Sequence, residues 1–176
     1  MNKDYALVNG KKLRYGFTTG SAATAAAKSA AEFLINGNYS ENVEIILPNN
    51  NKLLIETNVL EKTNNYSICS IIKDAGDDPD ITNGIEIFAK VKKIEENQIK
   101  ITGGIGVGKV TKKGLAIEIG AWAINPVPRQ MIKANLWEYI KDKNFGLEVE
   151  ISVPNGEEIA KRTLNEKLGV IGGISI

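Results

Sequence analysis

Apolar and polar positions along this chain follow two periods. Residues 21–35 (SAATAAAKSAAEFLI) are almost all small and apolar, which predicts a helix because alanine has the strongest helix propensity. Thr19 or Ser21 can cap its start, and Asn36-Gly37 supplies a stop. A surface so rich in alanine suits close packing on a sheet or the approach of a flat ligand. Residues 128–141 place Met131, Ile132, Leu136, Tyr139 and Ile140 near helical spacing and predict a second helix. Elsewhere the period is two. Residues 43–47 and 52–59 read as strands around a turn at 48–51, and 66–73 as another strand. Residues 85–94 and 98–102 read as a hairpin turning at 95–97. Residues 147–153 (LEVEISV) alternate as a strand with one wet face, and Pro154-Asn155-Gly156 turns the chain. Strands outnumber helices and cluster in hairpins. That predicts an α+β fold, a mostly antiparallel or mixed sheet with two main helices packed on it, over a doubly wound sheet. Residues 1–176 read as one domain.

Composition narrows the chemistry. The 176 residues carry 22 Lys and Arg against 21 Asp and Glu, so bulk charge gives no case for nucleic acid or an anionic membrane. Histidine is absent and cysteine occurs once, as Cys69. Ser–His and Cys–His pairs and histidine metal sites are thereby excluded, and acid–base work falls to carboxylates, Lys or Tyr. No apolar run reaches the length of a membrane span. The amino terminus has no apolar leader core. The expectation is a cytoplasmic protein.

Four segments carry residues that packing alone does not require. Tyr15-Gly16-Phe17-Thr18-Thr19-Gly20-Ser21 runs into the first helix, where free N–H groups favour a carboxylate or phosphate; an ordinary helix cap explains it equally. Residues 73–80 (KDAGDDPD) place four aspartates within seven positions. These are open to three readings: a cation held by Asp77, Asp78 and Asp80, a substrate loop with one aspartate as base, or a solvated turn. The spacing does not match an EF-hand, which makes the cation the least favoured of the three. Residues 101–111 carry Gly103, Gly104, Gly106 and Gly108, then Lys109. They fit neither a Rossmann nor a Walker loop, and either hug a ligand or form a glycine-rich bulge. Residues 123–130 (AINPVPRQ) offer Asn125 as a helix cap and Arg129 in the first helical turn, against the helix dipole, which suggests a carboxylate clamp; an exposed arginine on a proline-capped helix explains it equally.

In this order, the segments resemble the cobalt-precorrin-5B C1-methyltransferase family, often called CbiD. Thr18-Thr19-Gly20-Ser21 leading into Ala25-Ala26-Ala27-Lys28 is similar to one family signature, and 73–80 to the next. Gly103 to Gly108 with Val110-Thr111-Lys112, and Ile124 to Arg129, resemble two more. Residues 168–176 resemble the stretch leading into the family's second half. The resemblance covers essentially the whole chain. It departs at Ala22, where the family usually has cysteine, and at Lys113, often a proline.

The resemblance implies methyl transfer from S-adenosylmethionine to C1 of cobalt-precorrin-5B, giving cobalt-precorrin-6A in anaerobic cobalamin synthesis. Cobalt then belongs to the substrate, and no protein-bound metal is implied. The implied catalytic residues are Asp74, Asp77 and Asp78. Thr18, Thr19, Gly20, Ser21, Lys73, Asp80, Lys109, Asn125 and Arg129 are implied to hold the tetrapyrrole, and Gly103, Gly104, Gly106 and Gly108 the methyl donor. The implied partners are a small-molecule tetrapyrrole and a second copy of the chain, with no nucleic acid or membrane. The chain is expected to be the amino-terminal portion of the family enzyme, with residues 165–176 leading into the rest. A tetrapyrrole-binding module without catalysis and a phosphate- or nucleotide-binding domain are the alternatives.

Overall fold

A computed structural model describes residues 5–8 and 10–176. In chain order the elements are β1 (Tyr5–Val8), β2 (Lys11–Arg14), α1 (Thr19–Asn36), β3 (Asn42–Ile46), β4 (Lys52–Glu56), β5 (Asn58–Lys62), β6 (Tyr66–Ile72), β7 (Glu86–Ile94), β8 (Ile99–Gly103), β9 (Lys109–Val110), α2 (Pro126–Leu136), β10 (Gly146–Ser152), α3 (Gly156–Ala160), α4 (Asn165–Leu168) and β11 (Val170–Ile171). A five-stranded sheet has the order β5-β6-β7-β10-β8; β10 and β8 run parallel and the other neighbours antiparallel. The pairs β1–β2, β3–β4 and β9–β11 stand beside it. The expected α+β architecture with a mixed sheet is what forms.

Helix α1 crosses β6 and β7 and lies beside α2. Its alanines are buried on nearly every side, Ala22, Ala23, Ala25, Ala26, Ala27, Ala30 and Ala31 among them. Small side chains let neighbouring backbone come close: Ser67 Oγ donates to Ala30 O at 2.5 Å, and Ser29 and Thr57 share a hydroxyl bond at 2.8 Å. The sheet offers α1 its apolar positions, Ile87, Ala89 and Val91 from β7 and Leu147, Val149 and Ile151 from β10, all fully buried. Each such Ile or Leu contributes about 2 kcal/mol of burial.

Four local expectations are corrected. The N-cap of α1 is Thr18, whose hydroxyl accepts from Ser21 N at 3.1 Å; at the other end Gly37 closes the helix as anticipated, at φ 76°. Residues 52–59 are not one strand, because Thr57 turns inward to Ser29 and its N–H goes to Glu41 O at 2.9 Å. The chain then leaves the β3–β4 hairpin for the main sheet. β7 and β8 do not pair, since β10 lies between them. Gly146 permits this: a Cβ there would stand 2.1 Å from Glu96 O, so β10 starts hard against the 95–98 bend. Asn97 ties that bend down by donating to Ile140 O and Lys143 O at 2.9 and 2.8 Å. Finally, α2 stops at Leu136 and tightens into a 3-10 turn over Trp137–Tyr139, which keeps both Leu136 and Ile140 buried.

Candidate functional site

Two connections meet at one end of the main sheet. The first, residues 15–18, joins β2 to α1. The second, residues 73–85, joins β6 to β7 and is closed at its base by Lys73 N to Ile85 O (2.8 Å) and Gly84 N to Lys73 O (2.7 Å). They cross backbone to backbone at Gly16 and Gly76. A Cβ on Gly16 would lie 2.0 Å from Ala75 C; one on Gly76, at φ 65°, would lie 2.4 Å from Arg14 O. The crossing is stitched by Phe17 N to Asp74 O (2.8 Å), Asp77 N to Arg14 O (3.1 Å) and Arg14 N to Asp77 Oδ2 (2.6 Å).

The aspartates of residues 73–80 therefore have separate duties. Asp74 receives the Arg14 guanidinium on both oxygens, at 2.5 and 2.8 Å, and Gly76 N at 2.8 Å. The Arg14 bond, with help from the Gly76 amide, holds its carboxyl down at about 2. Asp77 caps the Arg14 amide. Asp80 binds Lys73 Nζ at 2.6 Å and accepts from the Thr82 amide and hydroxyl at 2.8 and 2.7 Å. Burial pushes the Asp80 carboxyl up, but Lys73 and Thr82 outweigh it and hold it at about 2. The Lys73 side chain is only 2% exposed, so this pair is a strut under the loop. Asp78 alone of the four has a side chain with no hydrogen bond or ion pair among the described residues. No group of three or more His, Cys, Asp or Glu among the described residues is placed to hold a metal.

Between the two connections lies a cavity of about 560 Å³. Tyr15, Phe17, Thr18 and Thr19 form one wall, and Lys73, Asp77, Asp78 and Asp80 the other. The start of α1 opens onto it with its positive dipole end and the amides of Thr19 and Gly20, those of Ser21 and Ala22 being taken by Thr18. Thr18 and Ser21 are occupied with each other and with the cap. The Thr19 hydroxyl makes no bond among the described residues. Gly20 points elsewhere: a Cβ there would meet Pro128 Cγ at 2.8 Å, so its smallness serves the α1–α2 crossing.

The remaining sequence-selected residues gather elsewhere, around Trp122. Lys109 Nζ stands 4.5 Å above its ring. Arg129, whose burial lowers its basicity, donates to Ile124 O (2.9 Å), Ile101 O (3.1 Å) and Trp122 O (3.5 Å). Asn125 sits at the α2 cap position but sends Nδ2 to Ile176 O at 2.9 Å. The glycines there are filled in by chain. Trp122 packs on Gly103 and Glu150 on Gly104; Val153 O crowds Gly106, and Val170 with Gly173 crowds Gly108. At these four positions the missing side chain serves close approach of neighbouring chain.

Sequence reasoning passed over Arg14 and Gly16. The signal for Gly16 was its place inside the first motif; Arg14 gave none, since its partner is 60 residues away.

A sequence model of the CbiD family matches residues 6–176. The chain belongs to the CbiD family. It is similar to a protein named cobalt-precorrin-5B C(1)-methyltransferase from Leptospira interrogans, 50% identical over 170 residues that are 96% of this chain and 46% of the relative. A protein of the same name from Geobacter sp. strain M21 is 49% identical over 96% of this chain and 49% of its own length. This CbiD-family chain thus spans about half the length of the curated relatives it matches. A crystal structure of the cobalamin biosynthesis protein CbiD from Archaeoglobus fulgidus superposes with a TM-score of 0.76 at 34% identity, over 98% of this chain and 55% of that one. Among the described residues no helix is long and apolar enough to cross a membrane.

Proposed function

We propose that this chain is the substrate-side portion of a cobalt-precorrin-5B C1-methyltransferase, forming cobalt-precorrin-6A with S-adenosylmethionine as methyl donor. The observation that carries the reading is the crossing at Gly16 and Gly76. It brings two separate family motifs, residues 15–21 and 73–80, onto one cavity. The tetrapyrrole's carboxylates suit the first-turn amides of α1 and the Thr19 hydroxyl. Asp78, which lines the cavity without a partner, is the group available to hold or take a proton at the ring. Arg14–Asp74 ties the two connections together beside the cavity, and Lys73–Asp80 braces one wall from within. Methyl transfer to a ring carbon depends chiefly on alignment and exclusion of water, which asks little acid–base chemistry of a chain without histidine.

The test is anaerobic incubation with cobalt-precorrin-5B and methyl-labelled S-adenosylmethionine. The chain is assayed alone and with a polypeptide covering the rest of a relative's length, beside an intact relative as positive control. Label in the tetrapyrrole in either arm supports the reading. No label in both arms, while the control works, overturns it. The half-length match favours one second reading, a tetrapyrrole-binding module without catalysis, which would bind substrate and transfer no label.

A further inference from the structure

The edge formed by Asp78, Pro79 and Asp80 has a cavity on each side. Beyond the one just described lies an opening of about 740 Å³, walled by residues 78–82 and by 161–164 with Lys167. The far wall is a built turn. Arg162 N bonds to Ile159 O (2.9 Å), Thr163 N and Oγ1 bond to Ala160 O (3.0 and 2.8 Å), and Asn165 N bonds back to Thr163 Oγ1 (3.2 Å). This turn sets Leu164, 63% exposed, across from Ile81, 46% exposed, and arrays Lys161, Arg162 and Lys167 around the same opening.

The charged groups lining the opening are not all held. Lys161 is held by Glu158 at 2.6 Å, and Asp80 by Lys73. Arg162 and Lys167 have no carboxylate within ion-pair distance among the described residues. Among the residues lining the opening, Asp78 on the shared edge is the one anion without a partner; Glu157 and Glu166 lie close enough to act on Lys161 but do not line it. Exposed Leu and Ile beside two unpaired cations match a ligand whose body is hydrocarbon and whose rim carries carboxylates. An Arg guanidinium grips such a rim through paired N–H donors.

We propose that this second opening is a subsite for the rim carboxylates of the tetrapyrrole, with Arg162 and Lys167 as its anion-binding residues. The inference rests on the tetrapyrrole reading above and extends the site beyond the cavity that the family motifs line. The ring would straddle the 78–80 edge, one side over the start of α1 and the other on Arg162 and Lys167.

The test uses uroporphyrin, a carboxylate-rich macrocycle, and coproporphyrin, which has fewer carboxylates, titrated by Soret absorbance at low and raised salt. The chain is compared with R162Q/K167Q, R162K, and the control K133Q/K143Q, which removes equal charge elsewhere; circular dichroism checks each fold. The wild-type chain should prefer uroporphyrin. R162Q/K167Q should bind it about tenfold more weakly and lose both the preference and part of the salt dependence. R162K should fall between. Unchanged affinity in R162Q/K167Q, or an equal loss in the control, overturns the subsite and leaves the tetrapyrrole reading standing. No binding of either porphyrin by the wild-type chain overturns both.

Discussion

Arg14 and Asp74 lie 60 residues apart and meet as a two-pronged ion pair on the outside of the loop crossing, with both partners substantially exposed. A pair this wet adds little to global stability, so its consequence is local. It fixes the angle at which residues 73–80 lean over the start of α1. Arg14→Lys keeps the charge and removes the fork. The expected outcome is an almost unchanged melting temperature, faster proteolysis within residues 74–84, and weaker tetrapyrrole binding. Limited proteolysis followed by mass spectrometry reads it; equal cleavage in variant and wild type would show that the backbone crossing holds the loop alone.

The acid limb of stability follows chiefly from Asp80, with a smaller share from the more exposed Asp74. Both carboxyls are lowered from the usual 3.8 to about 2 in the folded chain. A depressed folded value stabilises at pH above the unfolded value and loses that stabilisation as pH falls through the folded one. Melting temperature should therefore hold down to roughly pH 4 on this account and drop between there and about pH 2. An Asp74→Asn/Asp80→Asn variant should start lower at neutral pH and show a shallower acid decline. Parallel slopes in variant and wild type would assign the decline to other carboxylates.

The strut beneath the loop is a separate matter. Asp80→Asn leaves Lys73 with its charge buried and without its hydrogen-bonded anion, Asp74 acting on it only weakly. The expected loss is about 2 kcal/mol in urea denaturation, below the range for fully buried pairs because Asp80 is 36% exposed. Lys73→Met/Asp80→Asn should recover part of that loss, since it removes the buried charge along with its partner. A double variant less stable than Asp80→Asn would mean that Lys73 is held by its surroundings rather than by Asp80.

Much of this arrangement was readable before any fold was known, and the gaps have physical causes. Alternation in 147–153 and the alanine run at 21–35 survive intact because each depends only on neighbours within a turn or a strand. The β7–β8 hairpin failed because pairing depends on what else can reach the sheet, and Gly146 with Asn97 let β10 in between. Motifs near 18–21 and 73–80 stood out by composition, but nothing local shows that they cross, or that Asp78 is the aspartate left over. Arg129 looked like a clamp because it opposes the helix dipole; in the fold its guanidinium serves three backbone carbonyls.

That last placement makes its own prediction. Arg129→Met strands the carbonyls of Ile101 and Ile124, while Trp122 O keeps Ile124 N at 2.7 Å, and the expected loss is about 2 kcal/mol. Porphyrin affinity of the folded fraction should not change. Thermal melts and Soret titration on one preparation separate the effects, and an affinity loss without a stability loss would return Arg129 to the binding surface.

Steric contact at the crossing gives a further test. Gly16→Ala places a methyl against Ala75 backbone at 2.0 Å, so the two connections must part, at about 3 kcal/mol. Gly84→Ala is the control. It has φ 76° but nothing within 4 Å, so it costs only about 1 kcal/mol of backbone strain. If the two variants lose the same stability, the crossing is looser than its geometry indicates and the cavity walls move independently.

Asp78 bears on the chemistry most directly. Three of the four aspartates have defined partners, whereas Asp78 lines both openings with none. Asp78→Asn preserves size and removes the base. If a proton at the ring passes through this carboxylate, label transfer should fall about a hundredfold, the usual scale for losing a positioned acid or base. Porphyrin binding should hold or tighten slightly, because an uncompensated negative charge leaves a site meant for carboxylates. Asp142→Asn, on the distant turn before β10, controls for charge. Unchanged transfer with unchanged binding would remove Asp78 from the chemistry and leave alignment alone as this chain's contribution. Weaker binding with normal turnover would make Asp78 a hydrogen-bond acceptor for the ring's own N–H or amide groups, and would turn the expected orientation of the carboxylate rim toward Arg162 and Lys167.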